Sequence, residues 1–201
     1  MTNKTKITIG PITLNVWNDY YGAPNRLSPT RAEAADICKA ENASMITVPV
    51  AKAIFNQSSL KVGASPLGSG SQKDMRSKLQ HHNDLINAKI PVGFSGLVAG
   101  HMKDLVLSEK LYASKKVHTT DPSPNIVIWG WLKSLKPLAF WQGEFGNHYA
   151  GWADYSQGLR LVDRACEVGG QPKDLHDLYK DINFSVYLTV SGQPLKRVTY
   201  E

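Results

Sequence analysis

The second half of the chain constrains the fold most, because strand-like segments follow one another there with little room between them. Four of these segments are "KDLVLS", "NIVIWGWL", "GLRLVD" and "FSVYLTV". Most of the connections are shorter than the dozen or more residues that a helical crossover between parallel strands requires. This spacing predicts a mostly antiparallel sheet, which we expect to be strongly curled.

The first half of the chain has the spacing of helices instead. Pro29, preceded by a serine that can cap a helix, is typical of a first helical position, and the apolar residues that follow predict a helix to about Asn42. Further helices are predicted after Thr47 and after Asp74. We therefore expect one domain, residues 1–201, of the α+β class, with N-terminal helices packed on the sheet.

A segment between the second and third predicted helices has the composition of a loop. Residues 57–74 are dense in Gly and Ser. This composition predicts a mobile surface connector, and a lid over a site is the second interpretation.

The chain carries an excess of positive charge, with 23 Lys and Arg residues against 17 Asp and Glu residues and a net charge of +6. This excess favours anionic partners such as an envelope glycan, another anionic polymer, nucleic acid or lipid headgroups. Because the basic residues are scattered along the sequence, solubility alone is the alternative explanation.

Two absences in the sequence bear on its location and chemistry. The N-terminal segment lacks the apolar core of a signal peptide, and no apolar run is long enough to span a membrane. We therefore expect a soluble protein made in the cytoplasm. The cysteines, Cys38 and Cys166, and the six histidines show no metal-binding spacing. The sequence predicts no metal site and leaves any cofactor unknown.

Polar residues cluster at one predicted strand end. His101 follows Gly100 there, and Lys103 and Asp104 come next. Because an imidazole titrates near neutral pH, His101 is a candidate catalytic residue and its two charged neighbours are candidates for substrate binding; a polar β-turn is the alternative. His82, on the core side of the third predicted helix, is either another substrate-binding residue or a hydrogen-bonded core histidine.

The stretch "GWADYSQGLR", residues 151–160, holds an acid, a hydroxyl and a guanidinium between glycines. If it forms a strand, a turn and a strand, Asp154 and Ser156 share one face, and a glycine bend brings Arg160 back beside them. Asp154 and Ser156 are therefore candidate catalytic residues, and Arg160 and Tyr155 are candidates for substrate binding. A cross-strand ion pair beside a turn is the alternative.

The chain resembles a set of uncharacterised bacterial and phage proteins in three blocks, "AGHMKDLVLSEKL", "NIVIWGWLKSLKPL" and "YAGWADYSQGLRLV". In that family the blocks read close to Gly-His-Lys-Lys-Asp, Tyr-Gly-Trp-His and Asp-Tyr-Ser-His-Gly-x-Arg-Leu-Val. The resemblance covers about residues 75–163 and implies a shared fold and shared site positions, without a reaction. This chain departs from the pattern with Met102 in place of a lysine, and with Leu132 and Gln157 in place of histidines.

These features lead to two functional hypotheses. The first is a hydrolase that acts on a bacterial envelope polymer, peptidoglycan or polysaccharide, with His101 as acid or base and Asp154 as its partner. The second is a non-catalytic, virion-associated structural or binding protein with a degraded site, because Leu132 and Gln157 replace family histidines. The sequence leaves open whether the protein is an enzyme. An enzyme should place an imidazole within about 3.5 Å of Asp154 or Ser156.

Overall fold

A nine-stranded sheet forms the centre of the computed structural model, which describes residues 3–68, 76–113 and 125–200. The strands in these ranges are β1 (Lys4–Ile9), β2 (Ile12–Trp17), β3 (Ala43–Thr47), β4 (Leu60–Lys61), β5 (Val98–Ala99), β6 (Lys103–Leu107), β7 (Ile126–Leu135), β8 (Leu138–His148), β9 (Gln157–Gly158), β10 (Leu161–Val168) and β11 (Gln171–Asp174). Along the sheet the order is β1-β2-β10-β3-β6-β7-β8, with β11 beside β10 and β9 beside β6, while β4 and β5 form a separate pair.

Antiparallel pairing dominates the sheet. β2 pairs with β1 and β10, β10 pairs with β3 and β11, and β7 pairs with β6 and β8, all in the antiparallel sense. Parallel pairing joins β6 to β3 and to β9, and β4 to β5. The mostly antiparallel sheet is therefore confirmed. The predicted strong curl is not confirmed, because the described strands form neither a strongly curled nor a closed sheet.

Helices from the first half of the chain pack on this sheet. The described helices are α1 (Arg31–Ala40), α2 (Val48–Gln57), α3 (Leu79–Asn87), α4 (Lys110–Ala113), α5 (Leu175–Lys180) and α6 (Ile182–Leu188). α1 contacts β3, and α2 contacts both β1 and β3. The protein thus has a mixed α+β fold, as the sequence predicts.

The first helix starts later than predicted, at Arg31 instead of Pro29. Thr30 caps it: the Thr30 hydroxyl accepts a hydrogen bond from the N–H of Glu33 at 3.4 Å, and the Glu33 carboxylate accepts one from the N–H of Thr30 at 2.7 Å. The hydroxyl of Ser28, the predicted cap, donates to the backbone carbonyl of Asp154 instead. This bond ties the start of α1 to the candidate site.

The prediction of a strand at "FSVYLTV" is wrong, because this segment belongs largely to helix α6, Ile182–Leu188. The carboxylate of Asp181 accepts a hydrogen bond from the N–H of Asn183 at 2.8 Å and so caps the helix. An aspartate in this position stabilises the first turn by about 1 kcal/mol, which opposes the strand preference of the β-branched and aromatic residues that follow.

Backbone hydrogen bonds join three segments that lie far apart in the sequence. The N–H of Val98, in β5, donates to the carbonyl of Asn18 at 2.8 Å, and the N–H of Lys103, in β6, donates to the carbonyl of Ser156 at 2.7 Å. These bonds bring four parts of the chain together: the end of β2, the end of β5, the start of β6 and the turn before β9. The candidate site lies at this junction.

Three further predictions concern membrane-spanning helices, the cysteines and the Gly- and Ser-rich loop. Within the described ranges, no helix is both long and apolar enough to cross a membrane. Cys38 and Cys166 are free thiols. The predicted loop, residues 57–74, begins at the last residue of α2 and is described as far as Gly68; its remainder lies outside the described residues, and its mobility stays a prediction.

Candidate functional site

His101 lies in the turn between β5 and β6, where another part of the backbone passes very close. Gly100 has a φ of 99°, and a side-chain carbon at this position would lie 2.8 Å from the carbonyl oxygen of Val62. Only glycine fits both the conformation and the space. The turn therefore packs tightly against the segment that follows β4, and His101 is completely buried.

The carboxylate of Asp19 holds His101 in place. Asp19 Oδ1 lies 3.0 Å from His101 Nε2 and accepts a hydrogen bond from Arg26 Nε at 2.9 Å. A second bond joins Arg26 Nη2 to Asp19 Oδ2, so the guanidinium binds the carboxylate in a bidentate manner. Burial alone raises the pKa of Asp19, but His101 and Arg26 together bring it far below its usual range. Asp19 is therefore an anion at neutral pH.

The His101 ring is neutral at this pH. Burial lowers its pKa to about 4, although Asp19 opposes the shift. Because a carboxylate can only accept, the ring proton lies on Nε2 and Nδ1 carries a lone pair. Nδ1 has no hydrogen-bond partner among the described residues. The pair thus presents an oriented imidazole whose Nδ1 is unprotonated at neutral pH and free to accept a hydrogen bond or a proton, with its basicity reduced by burial.

A second buried imidazole lies on α3. His82 is completely buried, and in the described part of the chain neither of its ring nitrogens has a partner. Burial lowers its pKa to about 4, and the positive charge that His101 acquires on protonation acts in the same direction. The neighbouring Asn83 donates from Nδ2 to the carbonyl of Arg26 at 3.0 Å, but its Oδ1 also lacks a described partner. α3 therefore carries an unusual group of buried polar atoms that form no hydrogen bond with the described part of the chain.

Asp154 organises the turn before β9. Its Oδ1 accepts hydrogen bonds from the N–H of Ser156 at 2.7 Å, from the Ser156 hydroxyl at 2.6 Å and from the N–H of Gln157 at 3.1 Å. Its Oδ2 lies 3.1 Å from Lys103 Nζ. Burial raises the pKa of Asp154, but Lys103 and Ser156 outweigh burial and lower it. The Ser156 hydroxyl is completely buried and donates to this carboxylate, not to an imidazole.

Tyr155 and Trp131 connect Lys103 with the imidazole on α3. Lys103 Nζ lies 4.8 Å from the centroid of the Trp131 ring. The Tyr155 ring has its centroid 6.4 Å from that of Trp131 and 5.0 Å from that of His82. The Tyr155 hydroxyl accepts a hydrogen bond from the N–H of Leu67 at 2.8 Å. The segment after β4 therefore covers Tyr155.

Arg160 is completely buried, with its guanidinium bound to backbone. Nη1 and Nη2 donate to the carbonyls of Trp17 and Val98, at 3.0 and 2.7 Å. The guanidinium carbon lies 4.1 Å from the centroid of the Tyr20 ring, and the Tyr20 ring meets His101 edge-on with centroids 4.9 Å apart. Arg160 therefore supports Tyr20, which in turn packs against the catalytic candidate His101.

Asp104 is a buried acid close to the same tyrosine. Burial raises its pKa to about 6, while the charge of Arg160 and a hydrogen bond with Tyr20 oppose the rise. A cavity of about 10 Å³ borders Asp104, and one water molecule needs a volume of about this size. Asp104 therefore titrates much closer to neutral pH than an exposed aspartate does.

An open groove of about 1120 Å³ runs beside the Asp19–His101 pair. Asp19 lies in its wall with the aromatic residues Trp17, Tyr21 and Phe94. Four asparagines also line the groove: Asn3, Asn18, Asn25 and Asn87. The Asp19 side chain is 18% exposed, whereas that of His101 is fully enclosed. Asp19 is therefore the point at which the His101 hydrogen-bond network reaches solvent.

The predicted site residues have different partners from those that the sequence suggested. His101 forms its hydrogen bond with Asp19, whereas Asp154 pairs with Lys103. Among the described residues no imidazole forms a hydrogen bond with Asp154 or Ser156, so the contact expected of an enzyme at these two residues is not found. The stretch 151–160 does not form two full strands joined by a turn, because only the short β9 precedes β10 and the Asp154 turn lies before β9. Arg160 does not return beside Asp154 as an open clamp, since both of its Nη atoms bind backbone carbonyls.

Sequence analysis missed Asp19, Tyr20, Arg26 and Trp131. The first three lie in "NDYYGAPNR", directly after β2, where an aspartate and an arginine flank a turn that contains a glycine. This pattern of charged residues beside a turn could have marked them as candidates. The neighbouring residues do not, however, indicate that Asp19 pairs with His101, which lies 82 positions further along the chain.

The described residues contain no group of three or more His, Cys, Asp or Glu side chains placed to hold a metal ion. No protein-family model, curated protein or solved structure matches this chain. The resemblance to the bacterial and phage proteins therefore stays a prediction.

Proposed function

We propose that this protein is a hydrolase of an envelope polymer, peptidoglycan or polysaccharide, and that His101 is its general base. One observation carries this proposal. His101 is paired through Nε2 with an ionised carboxylate, and its Nδ1 has no partner among the described residues. The imidazole is neutral at neutral pH and so has a nitrogen free to accept a proton from water, but the burial that lowers its pKa to about 4 also makes it a weaker base than an exposed histidine.

The proposed reaction begins with a water molecule beside Nδ1 of His101. As the water oxygen attacks the electrophilic carbon of the substrate, Nδ1 accepts a proton from the water. The imidazolium that forms is stabilised by Asp19, whose Oδ1 lies 3.0 Å from Nε2. At an amide or ester bond of the polymer, the proton then passes from Nδ1 to the leaving nitrogen or oxygen as the tetrahedral intermediate collapses, and His101 returns to its neutral state. At a glycosidic bond a second group would have to protonate the leaving oxygen, because water attacks from the opposite face of the sugar ring.

Buried polar atoms without partners support a substrate rich in hydrogen-bonding groups. Among the residues that the structure describes, both ring nitrogens of His82, Asn83 Oδ1 and Trp131 Nε1 lack a partner. A buried polar group left without a partner costs about 1–3 kcal/mol. Hydroxyl and amide groups of a glycan or a peptide would supply the missing hydrogen bonds, so His82 keeps its proposed role in substrate binding.

The open groove beside Asp19 supports a polymeric substrate. It combines aromatic rings with asparagine side chains, and sugars pack their apolar faces on rings while amides bind their hydroxyl groups. An anionic envelope polymer also suits the net charge of +6. We assign the groove to the chain of the polymer and the buried region around His101 to the bond that is cleaved.

The remaining predicted residues take supporting roles in this proposal. Asp154 and Ser156 position Lys103, through the Asp154–Lys103 ion pair and the turn that holds the carboxylate. Lys103 and Tyr155 then contact the substrate, and Arg160 supports the aromatic ring that packs on His101.

The alternative is a non-catalytic, virion-associated structural or binding protein, and burial is the observation that favours it. His101 and His82 are both completely enclosed, so the segment after β4, which lies over Gly100 and Tyr155, must open before water and substrate can reach Nδ1. If that segment never opens, the polar network only stabilises the fold.

Fragment release from purified sacculi, from an acidic polysaccharide and from RNA tests the proposal. We expect the wild type to release soluble fragments from one of the first two and Asp19→Asn to be slower by about 10²- to 10⁴-fold, because the orienting carboxylate is lost. His81→Ala is the matched control, since His81 is exposed beside the buried His82. Cleavage of RNA alone would contradict the substrate class, and no cleavage of any substrate would favour the alternative.

A further inference from the structure

The β7–β8 hairpin extends beyond the core at the edge of the sheet. Its strands span 10 and 11 residues, and β8 is the last strand in the sheet order. Leu132 is buried, whereas the residues from Lys133 to Leu138 are exposed or half-exposed. The turn of this hairpin, residues 133–138, therefore stands free of the core. We refer to residues 133–141 as the hairpin tip; within it Phe140 packs against Phe55 of the core.

Three large apolar side chains of the hairpin tip face solvent. Leu135, Leu138 and Trp141 are 51%, 54% and 52% exposed. Leu135 and Leu138 are direct cross-strand partners at the turn. Single exposed apolar residues are ordinary on protein surfaces, but a cross-strand pair of exposed leucines at the turn, with an exposed indole three residues further along β8, is typical of a contact surface.

The charge around this apolar cluster is entirely positive in the sequence. No Asp or Glu occurs between Asp121 and Glu144, whereas Lys133 and Lys136 lie in the hairpin tip. Lys133 Nζ lies 4.5 Å from the centroid of the Trp141 ring, which places a cation beside the exposed indole. The cluster thus combines aliphatic, indole and ammonium groups without a carboxylate.

We propose that the hairpin tip docks on a lipid bilayer that contains anionic headgroups. Leu135 and Leu138 enter the boundary between headgroups and acyl chains, Trp141 lies at the level of the headgroups, and the two lysines bind lipid phosphates. This inference is independent of the proposed hydrolase, because it uses no residue of the Asp19–His101 pair.

The dimensions of the hairpin fit this depth of insertion. Leu135 lies three positions beyond the buried Leu132, and a strand advances about 3.3 Å per residue, so the tip extends about 10 Å past the core. Interfacial segments bury their apolar faces about 5–10 Å into a bilayer. Exposed aliphatic side chains favour a bilayer over a glycan, since sugars stack on aromatic rings and gain little from leucines.

Co-sedimentation with vesicles tests the proposal. We expect the full chain to bind vesicles of phosphatidylserine and phosphatidylcholine, to bind pure phosphatidylcholine vesicles much less, and to dissociate as salt is raised. The double variant Leu135→Ser, Leu138→Ser should bind at least about tenfold more weakly, and Lys133→Gln should weaken binding to the anionic vesicles by about fivefold, close to 1 kcal/mol per lysine.

A matched control uses aliphatic side chains of equal exposure elsewhere. Val186 and Val190 are 61% and 60% exposed on and after α6, and Val186→Ser with Val190→Ser should leave vesicle binding unchanged. An equal loss in this control, or no binding of the wild type to anionic vesicles, would overturn the proposal. Tight binding of soluble glycerophosphoserine would likewise overturn it, because the site would then be a headgroup pocket. A dimer lost with the leucine substitutions, without vesicle binding, would assign the tip to a second copy of the chain.

Discussion

His101 and Asp19 are hydrogen-bonded at 3.0 Å although 82 positions separate them in the sequence. The contact forms because β5 and the end of β2 are joined through backbone hydrogen bonds, so that the turn after each strand reaches the same point. It sets the tautomer of the imidazole and makes Asp19 the link between the buried site and the open groove.

The ion pair between Asp19 and Arg26 should contribute strongly to stability. The Arg26 side chain is 1% exposed, so Asp19→Asn leaves a buried cation without a counter-charge and should lower the free energy of unfolding by about 3 kcal/mol. Asp163→Asn is the control, because Asp163 pairs with Lys4 on the surface and its loss should cost less than about 1 kcal/mol. Urea unfolding measures both; similar losses would contradict the assigned burial of the pair.

Stability should fall as the pH falls from about 6.5 to 5, in part because of His82. The pKa of His82 is lowered from 6.5 to about 4 in the folded chain, so below pH 6.5 the unfolded chain binds a proton that the folded chain does not. Linkage then predicts a loss of about 2 kcal/mol at pH 5 from this residue.

The substitution His82→Gln isolates this effect. The variant should lose less stability than the wild type between pH 7 and pH 5, by about 2 kcal/mol. Asp104, whose raised pKa acts in the opposite direction, is present in both proteins and cancels in the comparison. Urea unfolding at both pH values measures the free energy of unfolding. If this free energy changed equally with pH in the two proteins, His82 would be protonated in the folded chain as readily as in the unfolded chain, which would contradict its lowered pKa.

Ser156 should be a structural residue and not a nucleophile. Its hydroxyl donates to Asp154 at 2.6 Å and is completely buried, so Ser156→Ala should cost about 1 kcal/mol of stability and retain most of the hydrolytic rate. Comparison of turnover and thermal unfolding for this variant measures both quantities. Loss of turnover without loss of stability would assign the reaction to the hydroxyl.

Gly158 should tolerate no side chain. A Cβ atom at this position would lie 2.7 Å from the ring of Tyr20, which packs on His101, so Gly158→Ala should destabilise the protein by about 1–3 kcal/mol. Gly143→Ala is the control, because no atom of the described residues lies within 4 Å of a Cβ built there. Thermal unfolding should separate the two variants, and equal melting temperatures would contradict the packing of Tyr20.

Local patterns predicted the parts of the fold that depend on neighbouring residues. The short spacing of the strands correctly indicated a mostly antiparallel sheet, and the helical spacing after Pro29 indicated α1. The strand predicted at "FSVYLTV" failed, because the Asp181 cap favours a helix there.

The candidate site depends on contacts between distant segments, which no local pattern contains. Gly100 and His101 were recognised as a strand end, but the partner of the imidazole lies after β2. Likewise, the charge of Asp154 was identified, whereas its pairing with Lys103 follows from the junction between β6 and the turn before β9.

The initial rate of fragment release from sacculi at pH 7, compared between the wild type and His101→Gln, tests the central claim most directly. Glutamine retains an N–H for Asp19 but offers no basic nitrogen, so the account predicts a folded variant that is slower by about 10²- to 10⁴-fold. Its melting temperature should lie within about 4 °C of the wild type, which corresponds to about 1 kcal/mol for a domain of this size. A folded His101→Gln variant that releases fragments at the rate of the wild type would contradict the assignment of His101 as the general base.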